Sequence, residues 1–402
     1  MARSKRFSLL ALSAAAVIVL SACSSSAATP AATPAATPAA ATPAAATPAA
    51  ATPAAATPAA ATPGAPTPVP AWLSSASTTK VAAVAGGPHP FFTPWGPGTD
   101  DAVKAYKLAG GIYKFPPQWE LTAQNNLVET LVAQGYNAFT IFPGDANGTN
   151  TLLQELKGKG IPSIAAGGCT NTPSPAAFCI ATDVYTSVYL GTKALIAAMG
   201  SACTTAKPCG IVHVASRLVD PNTQARIKGV NKAVEESNGT TYVYQHMTDS
   251  DDQQAATTNV GALLAAHGAD IQGIVSDAYV GSSVTATLLH NGKFTNIKFV
   301  GIDDDPAVLD GIKGGWVVGT MSQNPYGQAY MSAEVLDLLR RGCTVKPDAP
   351  FLVDSGTFLI TKDGAKVGDV PSTPIADYLQ KRVDITNQLL STFQSKYLNC
   401  PS

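Results

Sequence analysis

Short apolar segments with the character of buried strands alternate with helical segments from residue 80 to residue 341. This alternation is typical of stacked βαβ units, in which helices cover both faces of a parallel sheet. The predicted strands are 80–85, 137–142, 161–166, 210–215, 241–246, 271–276, 298–302 and 317–321, and the predicted helices are 123–134, 151–159, 185–199, 224–237, 253–267 and 328–341. The pattern therefore predicts an α/β fold with two doubly wound parallel-sheet domains.

The residues before this alternation begin with an export signal. Three basic residues stand before an apolar run, 7–20, which is followed by Ser, Ala and Cys23. A basic start, a short apolar core and small residues at its end are typical of a secretory signal peptide, here residues 1–22. The sequence around Cys23 resembles the bacterial lipoprotein signal, which implies a lipid on this cysteine. The alternative is an ordinary signal peptide with an incidental cysteine.

Residues 23–70 consist almost only of Ala, Thr, Pro and Ser in a drifting repeat. Recurrent proline breaks helices, and a segment without large apolar side chains cannot offset the entropy of ordering. We expect an extended, partly polyproline-II stalk between the lipid anchor and the folded body. Threonine- and proline-rich segments carry O-glycans in some proteins. The composition of this segment is compatible with a glycosylated stalk and with an unmodified one.

The composition excludes some classes of function. Charged residues make up 13% of the chain and hydrophobic residues 46%, with a net charge of −1. There is no basic excess to bind phosphate backbones, so we expect no nucleic-acid partner. No apolar run after Leu20 is long enough to cross a bilayer, so we expect membrane contact through the lipid alone.

The cysteines predict disulfides. Six remain once Cys23 is set aside, and an even number is typical of an exported, disulfide-bonded protein. Six cysteines can pair in many ways, but two local pairs would close short loops and leave the third by exclusion. The favoured pairs are Cys169 with Cys179, Cys203 with Cys209, and Cys343 with Cys400. Zinc is the weaker alternative, because there is no CxxC motif and the histidines are scattered.

Polar and aromatic side chains follow several predicted strands, where open parallel sheets bind ligands. The first strand leads into His89-Pro-Phe91-Phe92. Two adjacent aromatic rings in a polar loop suit the apolar face of a ligand, and the alternative is that one or both seal the core. The strand at 298–302 ends at Asp303, and the next strand leads to Gln323.

Four motifs occur together in an order that resembles one protein family. They are Ile-Pro at 161–162, Arg-x-Lys-Gly at 226–229, Val-Gly-Ile-Asp followed by Pro at 300–306, and Gly-Thr-Met-x-Gln-x-Pro at 319–325. Together they resemble the type I periplasmic sugar-binding proteins, which are receptors of ABC importers, over residues 80–361. The resemblance implies a clamshell of two α/β domains joined by three crossovers, with a small sugar or polyol between them.

The resemblance also implies how the chain is divided and what it works with. The first domain would comprise 80–182 and 324–357, and the second 183–323 and 358–402. The expected partners are the sugar and an ABC permease. We further expect an extracytoplasmic, lipid-anchored monomer with no cofactor, no metal and no catalytic residue.

The resemblance assigns ligand contacts to matching positions. These positions are His89, Phe91, Phe92, Arg226, Asp303 and Gln323. The roles make chemical sense, because a carboxylate accepts hydroxyl protons, arginine and glutamine donate, and an aromatic ring covers the C–H face of a sugar.

Two strand ends depart from the family pattern. The Asp-Arg pair common after the strand at 161–166 is replaced by residues 167–169, Gly-Gly-Cys. The Asn-Asp pair common after the strand at 271–276 is replaced by Asp277-Ala-Tyr279. We therefore expect Asp277 or Tyr279 to contact the ligand.

An aromatic residue of the family is missing at 249–252. Trp95 or Trp119 would supply it, and both are predicted to lie in polar, Pro-rich loops. Asp145 is a further candidate for ligand binding, and a turn role beside glycine is its equal alternative.

Three other functions are weaker on sequence grounds. The run Asp303-Asp304-Asp305 suggests calcium, but EF-hand spacing is absent. No GxSxG, HExxH, P-loop or GxGxxG motif supports an enzyme. A sugar-responsive repressor would carry a helix-turn-helix where this chain has its signal and stalk. The alternatives that remain are a ligand-sensing receptor for a signalling partner and a receptor for a nucleoside or amino acid.

Overall fold

The structure is a computed structural model that describes residues 76–218 and 220–401. The predicted signal peptide, the predicted lipid site at Cys23 and the predicted stalk lie outside the described residues. The helices and strands follow in the order β1 (Lys80–Val84), α1 (Trp95–Ala105), β2 (Gly110–Lys114), α2 (Leu121–Ala133), β3 (Ala138–Ile141), α3 (Gly148–Gly158), β4 (Ser163–Ala166), β5 (Cys179–Ala181), α4 (Val184–Met199), β6 (Cys209–Val214), α5 (Pro221–Glu235), β7 (Thr241–Met247), α6 (Gln253–His267), β8 (Ile271–Ser276), α7 (Tyr279–Asn291), β9 (Lys298–Ile302), α8 (Pro306–Gly314), β10 (Gly319–Ser322), α9 (Pro325–Arg340), β11 (Thr344–Val345), β12 (Leu352–Asp354), β13 (Phe358–Thr361), β14 (Ser372–Pro374), α10 (Tyr378–Tyr397) and β15 (Leu398–Asn399).

Two sheets, each with helices on both faces, form two lobes. The sheet of the first lobe has six parallel strands in the order β12-β5-β4-β3-β1-β2, with α1 and α9 on one face and α2 and α3 on the other. The sheet of the second lobe has the order β14-β13-β10-β9-β8-β6-β7, and β13 is antiparallel to β10. Helices α4 and α5 cover one face of it, and α6, α7 and α8 cover the other. This arrangement confirms the predicted α/β class and the parallel-sheet lobes.

Burial on both faces explains why the central strands are continuous apolar runs. Every residue of β3, β4, β6 and β10 is buried. A strand covered by helices on both sides has no solvent face on which polar residues would alternate.

Short polar side chains cap the start of four helices of the second lobe, α4, α5, α6 and α8. Asp183, Asp220, Asp252 and Asp305 each accept a hydrogen bond from a backbone N–H in the first turn of α4, α5, α6 and α8, respectively. Proline is the first residue of α5, α8 and α9, a position where its missing N–H costs nothing. These local signals place helix N-termini just after strand ends.

The segment around Trp95 was predicted as a loop and is instead the helix α1. Its glycines and its proline disfavour a helix in the sequence, but the proline is the third residue, within the first turn. Gly98 allows α1 to approach α9 closely, since a Cβ there would lie 2.6 Å from the Tyr326 carbonyl oxygen. Tertiary packing against α9 thus outweighs the local preference.

Three segments cross between the lobes, as the resemblance implies. They are residues 182–183 between β5 and α4, residues 323–324 between β10 and α9, and residues 355–357 between β12 and β13. The chain then crosses once more, from β14 into α10. The sequence prediction assigned the whole of 358–402 to the second domain, but the later turns of α10 pack on the first lobe, where Phe393 contacts Phe178.

The three favoured disulfides are confirmed. Cys169 is bonded to Cys179, Cys203 to Cys209, and Cys343 to Cys400. The third bond joins the end of α9 to the C-terminal tail, and β11 pairs with β15 beside it. This bond and this strand pair attach the end of α10 to the first lobe.

Within residues 76–218 and 220–401, none of the helices combines the length and the apolar character needed to span a bilayer.

Candidate functional site

The carboxyl edges of the two sheets meet at an interface between the lobes, which we call the cleft. The His89 ring, after β1 in the first lobe, lies 5.6 Å from the Tyr279 ring, after β8 in the second lobe, as measured between ring centroids. A Cβ on Gly168, after β4, would lie 3.6 Å from the amide nitrogen of Asn222 on α5. Because these contacts join residues that follow strands in both lobes, the strand-end side chains line a shared cleft.

Asp303 and Gln323 lie side by side at the ends of β9 and β10. The Gln323 amide nitrogen lies 3.2 Å from each carboxylate oxygen of Asp303, and both residues are buried. Burial first, and then the neighbouring charge of Asp304, raise the pKa of Asp303 to about 7. With one amide as its side-chain donor, this carboxylate keeps lone pairs for a ligand.

The backbone at Asp303 turns three consecutive carboxylates toward three different partners. Asp303 has a φ of 64°, in the left-handed region, and its N–H donates to the Met321 carbonyl. Asp304 binds the Arg382 guanidinium at 2.8 Å, and Asp305 caps α8. The three carboxylates therefore do not converge on one point, and no group of three metal-ligating side chains occurs in the described part of the chain.

Arg226 and Asp277 lie on the second-lobe side of the same cleft. The Arg226 Nε is 4.0 Å from the Asp277 carboxylate, and it is buried without a hydrogen-bond acceptor among the described residues. Burial alone would raise the pKa of Asp277, but the His213 ring and the Arg226 guanidinium outweigh it and hold this pKa below its usual value. Asp277 is thus an ionised, buried anion beside an arginine with spare donor capacity.

Two histidines, His213 and His246, form a chain of contacts that ends at the Asp277 carboxylate. The His213 Nε2 lies 2.7 Å from the Asp277 carboxylate, and its Nδ1 lies 2.9 Å from the Nδ1 of His246. His213 is fully buried in β6, whereas His246 is partly exposed and contacts the side chain of Asn231 at 3.1 Å. Burial, followed by the electrostatic effect of the neighbouring His213 ring, lowers the pKa of His246 to about 4. The pair orients Asp277 without reaching the cleft itself.

Aromatic rings form the first-lobe side of the cleft, but they are not equally accessible. Phe92 is 2% exposed and Trp95 is fully buried, and both rings pack in one core cluster with Ala83 and Ala166. Phe91 is partly exposed, and Trp119, at 40% exposure, covers Gly86 and Gly87 and donates to the Pro88 carbonyl.

This packing distinguishes between the aromatic candidates. Phe92 and Trp95 seal the core. For Phe92, this is the alternative to ligand contact that the sequence left open. Of the aromatic candidates in the first lobe, Phe91 and Trp119, together with His89, remain partly accessible at the cleft.

Asp145 has a capping role. Its carboxylate accepts backbone hydrogen bonds from Asn147 at 3.0 Å and Gly148 at 2.5 Å, at the start of α3, and the residue is exposed. The turn alternative for Asp145 therefore agrees with the structure.

Two buried polar residues near the cleft were not found from the sequence. Gln328 on α9 has a buried amide oxygen without a partner among the described residues, and a Cβ on Gly167 would lie 3.4 Å from it. Arg382 comes from α10 and contacts Asp304 and Ser322. Neither residue follows a strand, so the strand-end rule gives no signal for them.

A family profile matches most of the folded body. The profile described as "periplasmic binding protein domain" matches residues 81–342. The match begins in β1 and ends after α9, and it includes every strand-end candidate described above.

Two curated relatives are similar over most of their own lengths. A D-apiose import binding protein of Paraburkholderia graminis is 24% identical over 243 residues, which is 60% of this chain and 74% of the relative. A xylitol-binding protein of Mycolicibacterium smegmatis is 24% identical over 296 residues, which is 70% of this chain and 78% of the relative.

Solved structures share the fold. An ABC transporter solute-binding protein from Burkholderia graminis, in complex with D-arabinose, superposes with a TM-score of 0.63 at 21% identity, covering 72% of this chain and 97% of that one. One from Actinobacillus succinogenes, with bound D-allose, gives a TM-score of 0.63 at 18% identity, covering 71% and 98%.

The His213 contact predicts a stability effect. His213→Ala removes the closest donor to the buried Asp277 carboxylate, so we expect the free energy of unfolding to fall by about 3 kcal/mol or more. Urea unfolding at neutral pH measures this change. His267→Ala is the matched control, since it breaks an exposed His–Asp contact and should cost less than about 1 kcal/mol. Equal losses in the two variants would contradict the role of His213.

Proposed function

The chain belongs to the periplasmic binding protein family, and we propose that it is the extracytoplasmic solute-binding component of an ABC importer, with a small sugar or sugar-like polyol as its ligand. The observation that carries this proposal is the cluster of buried, incompletely paired polar groups at the cleft. Asp303 offers lone pairs, and Arg226 offers a buried N–H without an acceptor. Such groups cost free energy unless a ligand completes their hydrogen bonds.

The chemistry of the cleft fits a polyhydroxylated ligand. Vicinal hydroxyls donate to the carboxylate of Asp303 and accept from Arg226 and Gln323. Phe91 and Trp119 supply apolar faces for the C–H side of a sugar ring. The names of the two curated relatives, a D-apiose import binding protein and a xylitol-binding protein, support the sugar and polyol class.

Binding requires closure of the two lobes and no covalent chemistry. Ligand groups that contact Arg226 and Asp303 on one side and Phe91 on the other would stabilise the closed arrangement, in which His89 meets Tyr279. The crossover segments provide the hinge. A permease would then recognise the closed, monomeric receptor.

The ligand class can be tested with the folded body, residues 76–402. We expect one member of a panel of pentoses, hexoses, deoxysugars and polyols to raise the melting temperature, since a ligand at about 100 times its Kd adds about 2.7 kcal/mol. Asp303→Asn and Arg226→Lys should each weaken binding of that ligand about 10- to 100-fold, because the first removes the charge of the acceptor and the second removes the Nε–H donor and the planar guanidinium. Asp310→Asn, on the exposed face of α8, is the control and should bind as the wild type does.

Two outcomes would refute this proposal. If amino acids or nucleosides raise the melting temperature and no carbohydrate does, the ligand is not a sugar or a polyol. If Asp303→Asn and Arg226→Lys both bind with the affinity of the wild type, the ligand does not bind at these residues.

The raised pKa of Asp303 predicts pH-dependent affinity. Ligand hydroxyls bind the ionised carboxylate, and a pKa of about 7 in the free protein means that the carboxylate must first lose a proton below that pH. We therefore expect affinity to fall as pH decreases below 7, by up to about tenfold per pH unit. Calorimetric titration from about pH 5.5 to pH 8 tests this, and Asp303→Asn should lose the dependence. An equal Kd at both ends of the range would contradict it.

We also propose that a lipid on Cys23 anchors the protein, with residues 24–70 as the spacer. A receptor retained at the membrane stays near its permease, and the motif around Cys23 supports this location. Cys23→Ser should move the full-length protein from the detergent phase to the aqueous phase and abolish labelling with a radioactive fatty acid. Labelling that persists in Cys23→Ser would disprove the anchor.

A further inference from the structure

Arg382 is a buried arginine at the hinge that none of the family motifs indicates. It lies in the second turn of α10, and its side chain is 3% exposed. Its Nε donates to the Ser322 hydroxyl at 3.0 Å, and its Nη1 donates to the Asp304 carboxylate at 2.8 Å. These two bonds fix the plane of the guanidinium.

The third nitrogen of this guanidinium has no acceptor. Nη2 is buried and makes no hydrogen bond with any described residue. A buried donor on a charged group costs free energy until an acceptor reaches it. Because the other two nitrogens are held, Nη2 cannot turn to solvent without breaking an ion pair.

The partners of Arg382 are the chain neighbours of the ligand-site residues. Ser322 precedes Gln323, and Asp304 follows Asp303. Burial raises the pKa of Asp303, and the positive charges of Arg382 and Arg226 both act against that rise. Arg382 is therefore close enough for its charge to act on the Asp303 carboxylate.

Helix α10 holds this guanidinium in place from the first lobe. The Cys343–Cys400 bond and the packing of Phe393 anchor its C-terminal half. Closer to Arg382, Thr386 accepts a hydrogen bond from the Asn324 side chain at 3.0 Å. The side chain is thus fixed before a ligand arrives, as a specificity contact requires.

We propose that Arg382 is a specificity-determining residue whose Nη2 donates a hydrogen bond to an oxygen of the bound sugar or polyol. This inference rests on the proposed function. The ligand oxygen must be near the hydroxyls that bind Asp303, so the class of ligand is one with a vicinal diol, or a hydroxyl next to a ring oxygen. Helix α10, which follows the last crossing between the lobes, would then contact the ligand directly.

The test compares ligand analogues as well as variants. We expect Arg382→Met to weaken binding of the sugar or polyol found in the panel by about 10- to 100-fold, measured by calorimetry. The monodeoxy analogue that lacks the contacted oxygen should bind both proteins with equal affinity. Lys381→Met, the exposed neighbour, is the control and should behave as the wild type does on every analogue.

Asp304→Asn separates a direct contact from a supporting role. If Arg382 acts only by holding Asp304, then Asp304→Asn would reproduce the loss on every analogue, and the proposal fails. An Arg382→Met protein with the affinity of the wild type would also overturn it, while the proposed function would stand. A wild-type protein that binds no member of the panel would instead refute the proposed function.

A measurement without ligand tests independently whether the charge of Arg382 acts on Asp303. Carbon-13 NMR titration of Asp303 should show a higher pKa in Arg382→Met, because a nearby positive charge has been removed. An unchanged titration would overturn the assignment whether or not a sugar is found.

Discussion

Burial of charged side chains between two sheets is the constraint on which the rest of this structure depends. Four of these side chains, those of Arg226, Asp277, Asp303 and Arg382, are nearly inaccessible to solvent. A buried charge is tolerated only when partners replace water. Asp277 is compensated by His213 and Arg226, and Arg382 by Asp304, whereas Asp303 has one amide donor and a raised pKa. The incomplete compensation at Asp303 is what makes this part of the cleft suited to a ligand.

The C-terminal helix links this site to the hinge. Its later turns pack in the core of the first lobe, while Arg382, near its start, binds the end of the second-lobe strand β10 and the turn after β9. A helix fixed to one lobe and bonded to the other limits how the lobes move relative to each other. The disulfide between Cys343 and Cys400 attaches the C-terminal end of α10 to the first lobe.

Local sequence signals predicted much of the architecture. Helix α6 and strands β8 and β9 have the predicted bounds, because flanking Asp or Gly residues mark both ends of α6 and β8 and an Asp follows β9. Asp303, Gln323 and Asp277 were predicted as site residues because they follow strands. Asp145 shows the limit of this rule, since a residue after a strand can equally cap a helix. Trp95, predicted to lie in a loop as a possible ligand contact, instead packs in the core.

The sequence by itself predicted the fold class, eight of the fifteen strands in the described part of the chain, the favoured disulfide pairs and the family resemblance. The strands follow from periodicity, the family from motifs contiguous in the chain, and the Cys343–Cys400 pair from exclusion once the two local pairs are set aside. Only the tertiary structure decided that α10 returns to the first lobe, that His213 supports Asp277, and that Arg382 binds Asp304 and Ser322. These contacts join residues 60 or more positions apart, as the Arg382–Ser322 and His213–Asp277 bonds do. No local preference encodes such a pair, because it is the packing of whole lobes that brings the two side chains together.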